Sequence, residues 1–315
     1  MGRVVVVGAG VVGLTTALRL QADGWAVDIV TEHPAAETTS SVAGAIWYPY
    51  RADPRDLVLE WGRRGFEALA DLADRPGSGI VMREVLELSR EALPDPWWRE
   101  AVTGLRHAAP SELPPGYADA LAFTVPTADM PRYLDWLHRR FLAAGGHVAR
   151  RHLADLDEVG HAGDAVVNCA GLGARDLVDD DRLVPVRGQV VRVANPGLER
   201  VLLDEHNPGG VTYVIPRGED VVLGGTAEEG IWDVSVHAAT AESILARCRA
   251  LEPRLADAPV VGHAVGLRPG RDVVRLEREE LAGRIVVHNY GHGGAGVTLS
   301  WGCAVDVAAL LADLA

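Results

Sequence analysis

The chain has 315 residues and a net charge of −14, from 44 acidic side chains against 30 cations, all of them arginine. The absence of lysine excludes every mechanism that needs a lysine amine, including Schiff-base aldolases, pyridoxal enzymes and the lysine of a Walker phosphate loop. A composition 48% hydrophobic and 23% charged is that of a globular protein of one large or two intertwined domains, and a pI near 5.2 argues against nucleic acid or an anionic membrane as partner.

In chain order, Val4–Val7 is a short β-branched run that reads as a buried parallel strand. Gly8-Ala9-Gly10-Val11-Val12-Gly13 then opens LTTALRLQADG, whose Leu14, Ala17, Leu18 and Leu20 suit a helix packed on a sheet and ended by Gly24. A second strand, Ala26–Val30, ends at Glu32. Thr38–Tyr50 has the Thr, Ser, Gly and aromatic composition of a ligand loop, and a helix is expected from near Pro54. Met130, Tyr133, Leu134, Leu137 and Phe141 recur at helical spacing, with Asp129 placed to cap them. LPDPWW and ELPPGY between these helices mark loops. Ala165–Cys169 reads as a later strand of the first sheet. Val184–Val193, Thr212–Ile215 and Val221–Leu223 read as antiparallel strands around turns at Asn207–Gly210 and Arg217-Gly218. Ala241–Leu251 is a helix stopped by Pro253, and the C-terminal segment is a strand, a glycine-rich loop and an apolar helix that return to the first domain. Cys169, Cys248 and Cys303 have neither disulfide-framework nor zinc spacing, so no metal is expected. With no leader, no bilayer-spanning run and no peroxisomal address, the cytoplasm is the expected compartment.

Two constellations carry chemistry. In the first, Gly8 allows the tight turn, Gly10 the approach of a pyrophosphate and Gly13 close helix packing, while Glu32 stands where an acid accepts ribose hydroxyls and repels a 2′-phosphate. In the second, His288-Asn289-Tyr290-Gly291-His292-Gly293-Gly294-Ala295-Gly296 precedes a helix. Its backbone amides and helix dipole suit a planar group that becomes anionic, as a flavin does on reduction.

The strings VVVVGAGVVGLTTAL, TTSSVAGAIWYPY, GLRPGRDVVRLERE and VVHNYGHGGAGVTLSWGCA, in order along the whole chain, resemble the D-amino-acid oxidase family, which includes D-aspartate oxidase. The resemblance implies an α/β FAD-binding domain of the glutathione-reductase type and an antiparallel α+β substrate domain. Residues 1–50, 130–182 and 266–315 are expected in the first domain, 51–129 and 183–265 in the second. It implies oxidation of a D-amino acid by dioxygen to an oxo acid, ammonia and hydrogen peroxide, with FAD as cofactor. Carried over by position, Arg268 matches the carboxylate-binding arginine, Tyr213 a tyrosine touching the same carboxylate, and Gly294 the carbonyl that accepts the amine.

The same carry-over puts Gly8, Ala9, Gly10, Val11, Val12, Gly13, Glu32, His33, Thr38, Thr39, Ser40, Ala43, Gly44, Ala45, Ile46 and Leu153 on the cofactor. Cys169, Ala170, Gly171, Arg268, His292, Gly293, Gly294, Ala295, Gly296, Val297 and Thr298 complete that set, with Asn168 at the same strand end. His33 departs from the arginine common in eukaryotic members. Ile46, Tyr48, Tyr50, Leu203 and Ile215 are expected to line an apolar side-chain pocket for neutral or aliphatic D-amino acids. D-Aspartate would need another cation there, and no arginine matches that role, although Arg51 and Arg217 are close in sequence; Asp204 and Glu205 instead favour a basic substrate. Gly209 falls where eukaryotic members carry a lid tyrosine, so a less gated site is expected. The alternatives are D-aspartate oxidase, a glycine or secondary-amine oxidase, and more remotely a non-catalytic nucleotide-binding protein. The missing lysine counts against the sarcosine-oxidase type, whose members place one over the flavin. Oligomeric state stays open.

Overall fold

The computed structural model describes residues 2–159, 163–281 and 283–314. Met1 and Ala315, at the ends read above for targeting signals, lie outside the described residues.

Strand β1 (Arg3–Val7) buries Val4–Val7, as a β-branched run must when both faces of its sheet are covered. Gly8, at φ +107°, a value that strains an L side chain, turns the chain into helix α1 (Val11–Ala22), and strand β2 (Ala26–Thr31) runs parallel to β1 with Val4 opposite Val27. A one-turn helix α2 (Thr39–Val42) and a long helix α3 (Arg55–Ala73) precede strands β3 (Ile80–Ser89), β4 (Arg106–His107) and β5 (Asp119–Ala128). Next come helix α4 (Met130–Ala143), strands β6 (His147–Arg150) and β7 (Ala165–Asn168), and the short helix α5 (Ala174–Leu177). Strands β8 (Val184–Ala194), β9 (Val201–Asp204), β10 (Thr212–Pro216), β11 (Asp220–Gly224) and β12 (Glu228–Glu229) lead to helix α6 (Ala238–Leu251). Strands β13 (Val260–Gly270), β14 (Arg275–Leu281) and β15 (Arg284–Tyr290) and helix α7 (Gly296–Leu310) follow.

Six strands form one sheet in the order β14-β15-β7-β1-β2-β6, parallel throughout except for the antiparallel β14. The other sheet has nine strands, β12-β8-β11-β10-β9-β3-β5-β4 with β13 also on β8, and is antiparallel except between β3 and β9. One sheet is thus parallel but for its edge strand and the other mostly antiparallel, the combination of α/β and α+β parts that was expected. The C-terminal segment does return to the first sheet, with β15 parallel to β7. Helix α7 packs on α1 and α3. Its contact with α3 is backbone to backbone: a Cβ on Gly65 would overlap the Thr298 carbonyl, and one on Gly302 would overlap that of Trp61. No helix among the described residues is long and apolar enough to cross a membrane.

Several elements differ from expectation. Helix α4 starts after Asp129, but that side chain makes no capping bond and pairs with Arg132 at 3.2 Å instead. Strands β3, β5 and β13 were not expected. Pro126 inside β5, and three glycines with Pro269 in β13, suppress the strand signal. LPDPWW and ELPPGY do fall between strands.

Candidate active site

A cavity of about 560 Å³ opens where the C-terminal ends of β1, β2 and β7 face the antiparallel sheet and the loop before α7. Its size is that of an ordinary ligand pocket. The Ala45–Tyr48 segment that walls it is fastened at both ends. Trp47 donates its backbone N–H to the Pro126 carbonyl at 2.8 Å, and the Ala128 N–H donates to Ala45 at 2.8 Å, so β5 gains a short extra partner. Thr298 Oγ1 accepts from the Tyr48 N–H at 2.9 Å and donates to the Tyr48 carbonyl at 3.0 Å.

At the nucleotide end the structure brings together Gly8, Ala9, Gly10, Val11, Val12, Glu32, His33, Thr38, Thr39, Ser40, Ala43, Gly44, Ala45, Leu153, Cys169, Ala170 and Gly171, all on the cavity wall. Gly8 is fixed by more than its backbone angle: a Cβ there would lie 2.5 Å from the Cys169 carbonyl. Ser40 Oγ accepts from the Val11 N–H at 3.0 Å at the start of α1, where anions are also favoured. Glu32 is half exposed, with His152 Nδ1 3.3 Å away. At the other end lie Ile46, Tyr48, Tyr50, Leu203, Tyr213, Ile215, Arg268, His292, Gly293, Gly294, Gly296 and Val297.

Three expected residues do not reach the cavity. Gly13 packs against the Gly8 carbonyl, Ala295 is buried beneath the loop, and Thr298 spends its hydroxyl on Tyr48. Asn168 is likewise buried, accepting from the Ala170 N–H at 3.2 Å. Asn289, named in the second constellation, lines the cavity, and so do Arg151, His152, Gly188 and Thr226, which were not singled out. Of these only Gly188 carried a sequence signal, a glycine inside a strand run marking close approach.

The polar groups at the far end are arranged for an anion. Arg268 pairs with no carboxylate among the described residues; its Nη1 donates to the Thr226 carbonyl at 3.1 Å. It lies flat over Gly188, where any Cβ would overlap the guanidinium, and Gly224 and Gly225 make the same kind of room for the Tyr213 ring. Burial pushes the Tyr213 phenol up and neighbouring Arg268 pulls it down, the burial prevailing, so the hydroxyl stays protonated and able to donate. Asp204 is buried under Arg90, Tyr117 and Asn207, and Arg217 is bound to Asp220 at 3.1 and 3.0 Å and lies off the cavity. Neither is free to read a substrate.

The residues present fit a flavin dinucleotide. His292 is 2% exposed and lies on the cavity, its Nε2 has no hydrogen-bond partner among the described residues, and burial pushes its pKa down to about 4, keeping it neutral. Asn289 Oδ1 is buried and unpartnered in the same place. Such groups call for a ligand partner.

A family profile described as FAD dependent oxidoreductase matches residues 3–310. The chain is 54% identical over 312 residues to a D-amino-acid oxidase of Rubrobacter xylanophilus, covering 98% of this chain and 96% of the relative. It is 48% identical over 314 residues to a D-amino-acid oxidase of Streptomyces coelicolor, with the same coverage of 98% and 96%. Among solved structures it resembles glycine oxidase from Geobacillus kaustophilus, with TM-score 0.82, 22% identity and coverage of 99% of this chain and 95% of that one. At that identity the likeness concerns the fold.

Proposed function

The chain belongs to the D-amino-acid oxidase family of FAD-dependent oxidoreductases, and from that premise we propose that Arg268 and Tyr213 hold the carboxylate of a D-amino acid whose side chain has an aliphatic stem and no negative charge. The reaction is oxidation of the D-amino acid by dioxygen, ending in a 2-oxo acid, ammonia and hydrogen peroxide. Bound FAD supplies the two-electron acceptor.

The observation that carries this reading is Arg268, a guanidinium on the cavity wall with no carboxylate partner of its own among the described residues. A planar fork suits a carboxylate, and a charge-assisted bond of this kind contributes about 1.5–3 kcal/mol. Tyr213 donates a second bond. The Gly294 carbonyl is assigned to the substrate amine, so that carboxylate and amine are fixed together and the α-hydrogen keeps one orientation. No side-chain base is invoked; a neutral amine lends its own lone pair to imine formation. Ile46, Tyr48, Tyr50, Leu203 and Ile215 are assigned to the stem, and Glu205 on the same wall disfavours D-aspartate.

The cofactor is assigned to the turn from Gly8 to Val12, to Glu32, Ser40 and Leu153, and to the loop from His292 to Gly296. Helix α3 is counted with the FAD-binding part because it packs on α7, which moves that boundary from residue 51 to the start of β3. Three free, buried cysteines accord with a reducing, cytoplasmic setting.

The test is peroxide release by the holoenzyme on a panel of D- and L-amino acids with glycine and sarcosine included. Arg268→Leu is expected to lower kcat/KM for every D-amino acid by at least about tenfold to a hundredfold. Unchanged kinetics would remove Arg268 from the site, and activity confined to glycine and sarcosine would favour the secondary-amine reading.

A further inference from the structure

The register of the antiparallel sheet points to the end of the substrate's side chain. Tyr213 pairs with Leu203, and Leu203 pairs with Glu87, so these residues form one row across β10, β9 and β3. With strands about 4.8 Å apart, the row runs roughly 10 Å from the carboxylate anchor. Alternate residues of a strand share a face, and Leu203 and Glu205 both line the cavity, as do Val211, Tyr213 and Ile215. Glu205 therefore stands one step beyond Leu203 on the wall that leads away from Tyr213.

Glu205 is mostly buried and accepts no hydrogen bond among the described residues; burial holds its carboxyl above the ordinary value and Arg51 pulls it back, so a cationic ligand group would relieve it. Behind it, Glu87 Oε1 accepts from the Tyr48 hydroxyl at 3.1 Å and Glu87 Oε2 is buried with no partner. Arg51 lies over the Tyr50 ring, 5.5 Å from its centroid, and tempers this negative field. An uncharged substrate side chain would take water from Glu205 and give nothing back, whereas an ammonium or guanidinium would pair with it.

Resting on the D-amino-acid oxidase reading, we propose that Glu205 is a specificity-determining residue and that the pocket prefers D-amino acids with a long aliphatic stem ending in a cation, such as D-lysine or D-arginine. The stem lies over Leu203 and the cation meets Glu205, with Glu87 adding to the field from behind Tyr48.

D-Lysine is D-norleucine with an ammonium on its last carbon, so the two isolate the charge. The holoenzyme and Glu205→Gln are compared by peroxide release, with flavin absorbance showing that each is loaded, and Glu205→Ala serves if the amide variant does not fold. The ratio of kcat/KM for D-lysine to that for D-norleucine is expected to fall about tenfold or more on substitution. A ratio that neither substitution moves overturns the inference. Should D-alanine or D-valine be oxidised but D-lysine not, the inference falls and the D-amino-acid reading stands; should no D-amino acid be oxidised, both fall.

Discussion

Glu87 occupies a position where ionisation is expensive. Burial, followed by the neighbouring charge of Glu205, pushes its carboxyl up to about 7, while the Tyr48 hydroxyl bond and His206 pull the other way. A carboxyl held above its unfolded value carries no penalty at pH below that value, near 4.5. The penalty grows as pH climbs toward 7 and is complete above it, reaching at most about 3 kcal/mol. Glu87→Gln removes the charge and keeps a side chain of the same shape. Its Tm is therefore expected to exceed that of the parent at pH 8 and to converge with it near pH 4. Thermal melts of both proteins across that range check this; a constant offset would show that folding does not raise the Glu87 carboxyl above its unfolded value. Nothing in MREVLELS announces this residue, because a glutamate between apolar positions reads as the solvated face of a strand. Arg268 was legible only through the surrounding string GLRPGRD, since an isolated arginine reads equally well as one half of a salt bridge.

Strands β8 and β13 place Arg268 more tightly than either does alone. Gly188 faces Gly266 across the pair, and the guanidinium lies over Gly188 with no room for a Cβ. Gly188→Ala is expected to push Arg268 off the wall, raising KM for D-amino acids and lowering kcat/KM about tenfold or more, while flavin content measured by absorbance stays at the parent level. Loss of flavin together with activity would assign Gly188 to the fold. The pair also marks the limit of what periodicity conveys. β1, α1 and β2 were legible because a β-branched run, a glycine turn and a helical repeat each point to one structure, and the β10–β11 hairpin because Arg217-Gly218 punctuates alternating apolar residues. β13 and β5 carry glycine and proline where the backbone of a neighbour or ligand comes close, so local propensity and tertiary role oppose each other there. The site depends on those opposed strands, which is why its residues were reached through motif strings and its walls through the structure.

At the scale of the whole molecule, charge and access act together on turnover. The proposed substrate is a zwitterion with an uncharged or cationic side chain, the oxo acid product of a neutral substrate carries a net negative charge, and the protein carries −14. A field of that sign gives no help to an anion leaving slowly; it drives the anion out. Glu205 and Val211, at the two ends of the turn between β9 and β10, stand on the cavity wall. Between β9 and β10 the turn is tied by Asn207, which donates to Asp204 at 3.0 Å and accepts from the Gly209 N–H at 2.9 Å. Arg247 braces it by donating to the Val211 carbonyl at 3.3 Å, the Gly225 carbonyl at 3.2 Å and Thr212 Oγ1 at 3.1 Å. A segment held at both ends in this way is a poor lid, and lid opening is the step that limits kcat in many enzymes. The expectation is that bond breaking, not release, limits this one at saturating oxygen. An α-deuterated D-amino acid should then show as large an isotope effect on kcat as in a single anaerobic turnover. If the effect survives in the single turnover but vanishes from kcat, release of the product is slow and the tied turn is not the open gate its hydrogen bonds describe.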